Sequence, residues 1–212
     1  MGSEGRQATS VLYYVHDPMC SWCWGFAPVL AQLLQRLPAE IRVMRLLGGL
    51  AVDSDQPMPV ELQRTIEATW QRIQERIPGT QFNYDFWRQC APRRSTWPAC
   101  RAVIAARAQG DEFDERMTRA IQLAYYTQAR NPSDEHTLLE LADELGLDSN
   151  AFAAALAGKA VQQQLLEEIE RARQLHATGF PSLVLDAAGS IWPIAVDYND
   201  SVPVLEMING LR

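Results

Sequence analysis

Cys20 and Cys23 flank Ser21 and Trp22, which places two thiols about one helical turn apart. Thiols at this spacing reach each other as a disulfide. At a helix start, the first of them sits beside unpaired backbone N–H groups and the positive end of the helix dipole. That position favours the thiolate, the nucleophilic form of cysteine. The chemistry that fits is thiol–disulfide exchange. Cys20, expected to face solvent, attacks as the thiolate, and Cys23, one turn further in and more buried, resolves the mixed disulfide. Neither Ser21 nor Trp22 is ionisable, so the helix terminus has to supply most of the thiolate stabilisation. Trp22 adds a large apolar face where a substrate would lie, whereas Trp24 reads as packing. His16 and Asp17, just upstream, are candidates for a proton relay. His16 as a cation would favour the thiolate, and Asp17 would cap the helix or take the proton of Cys23. Ordinary polarity at a strand end is the alternative for both.

The remaining cysteines, Cys90 and Cys100, are separated by nine residues, which fits no common zinc knuckle. Only three histidines are available: His16, His136 and His176. No metal site is expected. Buried free cysteines commonly act as small hydrophobes, and a second, regulatory disulfide is the competing reading for Cys90 and Cys100.

The elements around the motif follow from periodicity. Residues 11–16 form an apolar run that reads as a strand, which Pro18 helps to end. From Cys20 to about Leu37, apolar residues recur at helical spacing, and Pro38 ends the pattern. Residues 41–47 alternate as a second strand, closed by Gly48 and Gly49. A β-α-β unit of this kind carries parallel strands and a right-handed crossover. From about Pro59 to His176 the pattern is helical, with segments over 60–76, 97–109, 113–129, 134–145, 149–157 and 159–176. Sheet character returns after Pro181 as a hairpin over 182–195 that turns at 187–189. Pro193 consigns its second strand to a sheet edge. A short helix over 202–211 follows. The economical reading is one α/β sheet split by a helical insertion, since neither half covers its own strands alone.

The chain has 212 residues, 47% of them hydrophobic, enough for a sizeable core. Its net charge of −7 argues against nucleic acid and anionic membrane as main partners. No apolar run approaches the roughly 20 residues of a membrane span. The polar run Met1–Gln7 lacks the apolar stretch of a secretory signal, and a cytoplasmic location is the expectation.

The segment Asp17–Pro28, with its Cys-Ser-Trp-Cys centre, resembles the thioredoxin superfamily, and within it the DsbA/FrnE-like thiol:disulfide oxidoreductases, predicted protein-disulfide isomerases. Pro28, five residues after Cys23, is similar to the proline that bends the active-site helix of thioredoxins. Gly179-Phe180-Pro181 is similar to the superfamily's cis-proline loop, and Ser95–Ala102 and Gly146–Phe152 to segments of the helical insertion. The resemblance implies a thioredoxin fold (β-α-β and β-β-α halves) over residues 10–56 and 177–212, interrupted by an α-helical domain over 57–176. It implies exchange through Cys20 and Cys23, with substrate held by Ser21, Trp22, Phe180 and Pro181. No cofactor is implied beyond the redox-active cysteine pair. The implied partners are thiol- or disulfide-containing proteins and peptides, with glutathione a candidate co-substrate. The Ser21-Trp22 centre lacks the histidine of the periplasmic oxidases, which argues against a strongly oxidising potential. The alternatives are a glutathione-dependent transferase or isomerase of the kappa type and a non-catalytic redox-sensing or metal-binding module. Retention of both thiols favours exchange over conjugation.

Overall fold

The computed structural model describes residues 10–212; the expectation resting on Met1–Gln7 falls outside them. Within those residues the chain runs β1 (Val11–His16), α1 (Ser21–Arg36), β2 (Arg42–Leu47), α2 (Val60–Arg76), α3 (Phe86–Gln89), α4 (Trp97–Arg107) and α5 (Glu112–Thr127). It continues through α6 (Glu135–Glu144), α7 (Ser149–Leu156), α8 (Lys159–Gln174), β3 (Ser182–Ala187), β4 (Ser190–Ile194) and α9 (Val202–Gly210). The strands form one sheet in the order β2-β1-β3-β4. β1 pairs in parallel with β2 and antiparallel with β3, and β4 is an edge carrying Pro193. The β-α-β unit, the hairpin and the edge proline stand as expected. One short helix, α3, lies where the sequence pattern predicts none.

β1 is apolar along its length because it is covered on both faces. Its side chains alternate in the usual period of two. Leu12 and Tyr14 face α1 and α9 and pack with Phe26, Leu33, Leu183, Leu185, Val204 and Ile208. Tyr13 and Val15 face the other side, against Ala172 and Leu175 at the end of α8. The rest of α8 turns Val161, Leu165 and Ile169 into the helical block. α8 therefore contributes to two cores at once. The block is built around Trp70, whose ring is fully buried among Phe82, Tyr84, Phe86, Trp87, Tyr125 and Tyr126.

Candidate active site

Cys20 occupies the N-cap of α1 in an extended conformation, and no side chain caps the helix. The Cys20 side chain makes no capping hydrogen bond, and the N–H groups of Cys23 and Trp22 act on its sulfur through their charge. The Cys23 thiol above all, and the two N–H groups, hold Cys20 below the ordinary thiol range, against burial and the Asp17 carboxylate. Cys23 is pushed well above that range by burial, then by the adjoining Cys20. The two thiols are thus unequal: Cys20 ionises first and Cys23 keeps its proton. The helix terminus contributes as expected, but the thiol of Cys23 contributes more.

The expectation of a solvent-facing Cys20 needs correction. The residue is only 7% exposed. It lies under the loop before β3, where its thiol meets the Phe180 carbonyl at 3.4 Å. The Phe180–Pro181 peptide is cis. Gly48 makes room for this loop: a Cβ there would stand 2.0 Å from the Phe180 ring. What solvent reaches is the rim, where Trp22, Phe180 and Pro181 are all half-buried.

His16 supplies no positive charge, which removes its candidate role as a cation beside the thiolate. It is fully buried, stacks on Tyr14 at 4.7 Å with the rings 2° from parallel, and has no protein partner at either ring nitrogen. Burial first, then Arg45 and Arg107, lower it to about 3, so the ring is neutral. Asp17 does not cap α1 with its side chain. Its carboxylate accepts from the N–H of Met19 and of Leu50 (both 2.8 Å), from the Thr96 hydroxyl (2.6 Å) and from the Cys100 thiol (3.5 Å). It ties the end of β1 to the β2–α2 loop and to the start of α4. Burial raises it despite these bonds.

Ser21 turns toward the helical block, where its hydroxyl accepts from the Trp70 indole at 2.9 Å. Trp24 packs as expected, stacked on Tyr126. Cys90 donates to the Ala129 carbonyl while Cys100 meets Asp17, so they serve different neighbourhoods, and all four cysteines are free. Among the described residues no group of three or more His, Cys, Asp or Glu side chains is placed to hold a metal ion.

Two tyrosines escaped the sequence reading. The buried Tyr14 hydroxyl lies within the field of Cys23, and burial first, then Cys23, hold it well above the usual phenol range. The alternation of β1 is the signal that points it at α1. Tyr198 packs on Trp22 at 5.1 Å; nothing local marks a residue so distant in the chain. A cavity of about 760 Å³ between α1 and α5 reaches Tyr14 but neither cysteine.

A family profile described as a DSBA-like thioredoxin domain matches residues 11–206. The chain belongs to this family. Its fold is accordingly the thioredoxin fold with a helical insertion. A structure of a proposed protein disulfide isomerase from Nitrosomonas europaea is 28% identical, with a TM-score of 0.82 over 95% of this chain and 97% of that one. The cytosolic disulfide reductase DsbM from Pseudomonas aeruginosa is 27% identical, with a TM-score of 0.75 over 95% and 98%, and its structure with GSH is also similar. The ClpXP adapter protein SpxH of Bacillus subtilis is 24% identical over 81% of this chain, which spans only 56% of SpxH.

Proposed function

We propose that this DsbA-family chain is a thiol–disulfide oxidoreductase of a reducing compartment, the cytoplasm, acting on protein or peptide disulfides and drawing on glutathione. The observation that carries this reading is the inequality of the two thiols at the start of α1. In exchange, the Cys20 thiolate attacks one sulfur of the substrate disulfide, and the other sulfur leaves as a thiolate. The buried Cys23 then gives up its proton and attacks the Cys20 sulfur, releasing the second substrate thiol. The Phe180 carbonyl at the Cys20 sulfur, with half-buried Trp22 and Pro181, offers a short edge along which an extended peptide could lie. Similarity to DsbM supports the cytosolic setting and glutathione as partner. Isomerase activity is the further reading that the Nitrosomonas neighbour supports. The test is turbidimetric insulin reduction with dithiothreitol as donor. Wild type accelerates precipitation and Cys20→Ser does not; equal acceleration by Cys20→Ser contradicts the proposal.

The likeness to SpxH favours a second reading, a protein adapter. An adapter's partner binding would survive Cys20→Ser, whereas a mixed-disulfide partner would be lost.

A further inference from the structure

Arg76, in the last turn of α2, lies across two aromatic rings beside the thiols. Its guanidinium carbon is 5.7 Å from the centre of the Trp22 ring and 5.4 Å from that of Tyr198. These two rings pack on each other. Trp22 lies between the two cysteines, directly before Cys23, and Tyr198 lies within the field of Cys23, Cys20 and Arg76 together. The three side chains therefore form one wall beside the first turn of α1.

Arg76 differs from the ion-paired arginines of the chain, and from Arg116, Arg119 and Arg171, which each lie over one ring, in touching two rings, one of them within the Cys20–Cys23 turn. Arg45, Arg93, Arg101, Arg107 and Arg130 each pair with at least one carboxylate. Among the described residues no carboxylate pairs with Arg76, although the chain as a whole is acidic. Asp197 is near enough to feel its charge, but one oxygen of that carboxylate already accepts from the N–H groups of Asn199 and Asp200. Among the described residues no side chain or carbonyl accepts a hydrogen bond from Arg76 either, and a guanidinium's N–H groups match a carboxylate in geometry. A solvent-exposed arginine without such a platform would spend rotamer entropy on each anion it held.

We propose that Arg76, supported by Trp22 and Tyr198, is an anion-binding subsite that selects substrate disulfides carrying a carboxylate close to the sulfur, as in small acidic peptides. The proposal rests on the exchange reading of Cys20 and Cys23. Arg76 takes no part in the bond changes. It holds the substrate carboxylate while the Cys20 thiolate displaces one substrate thiolate and Cys23 then displaces the other. Two electrons pass to the substrate, and the Cys20–Cys23 disulfide forms.

The test compares two disulfides in single-turnover oxidation of the reduced protein: glutathione disulfide and the uncharged bis(2-hydroxyethyl) disulfide. The readout is the ratio of the two second-order rate constants. A lost charge-assisted contact is worth about a factor of ten, so Arg76→Met should lower the ratio about tenfold. Arg76→Lys should restore part of it, and rising ionic strength should lower the ratio in the wild type but not in Arg76→Met. A wild type that reacts with both disulfides, together with an unchanged ratio in Arg76→Met, overturns the subsite and leaves the exchange reading intact. A wild type that reacts with neither overturns both.

Discussion

At Cys20 two opposed effects meet. Burial and the Asp17 carboxylate disfavour the thiolate, while the Cys23 thiol and the N–H groups of Cys23 and Trp22 favour it, and the favourable side wins. The largest favourable contribution is a single neighbouring side chain. Replacing Cys23 by Ala removes it, so the midpoint for alkylation of Cys20 by iodoacetamide should rise, toward about 8.5 for an ordinary thiol. Because only the thiolate reacts, Cys23→Ala should then be alkylated more slowly than the wild type at neutral pH. A pH–rate profile read by intact mass checks this, and an unchanged midpoint would place the activation on the helix N–H groups alone. The same depression makes Cys20 ionisation stabilise the reduced fold above the unfolded thiol value, and the gain disappears as pH falls through the lower folded value. At this scale the cysteines were legible because their motif is local. The neutrality of His16 was not, since it depends on coverage of the strand end and on Arg45 and Arg107, which are distant in the chain.

Helices and strands position these groups with few special devices. The hairpin between β3 and β4 turns through Ala188 and Gly189, both left-handed (φ 53° and 87°), and the Gly189 N–H donates to the Asp186 carboxylate. Two left-handed central residues suit the twist of a tight hairpin, yet alanine bears a steric penalty there that glycine avoids. Ala188→Gly should therefore stabilise the protein by about 0.5–1 kcal/mol, measured as a higher urea midpoint at constant slope. Destabilisation would mean that the unfolded chain's gain in freedom outweighs the relief. The sequence made the turn legible through Gly189 and the edge strand through Pro193. The single turn of α3 was hidden because four residues hold too little periodicity to be recognised. The Gly48 requirement was hidden too, since it arises from the ring of Phe180, more than a hundred residues away.

Across the whole molecule, the insertion is more than a covering domain. It supplies the Trp70 indole to Ser21, the Thr96 hydroxyl and Cys100 thiol to Asp17, and Arg76 to the ring of Trp22. The sheet half supplies Tyr14 to Cys23 and the Phe180 carbonyl to Cys20. Cys20 and Cys23 thus sit where the two parts of the chain meet, with α8 packing into both. That convergence links the fold to the proposed division of labour, in which Cys20 forms the mixed disulfide and Cys23 resolves it. The most direct test mixes glutathione disulfide with reduced wild type, Cys20→Ser and Cys23→Ser, quenches with acid and reads intact masses. The account predicts a lasting single glutathionyl adduct on Cys23→Ser, located at Cys20, an internal disulfide in the wild type, and no adduct at Cys23 in Cys20→Ser on the same timescale. An adduct that forms at Cys23 as fast as at Cys20 would contradict it.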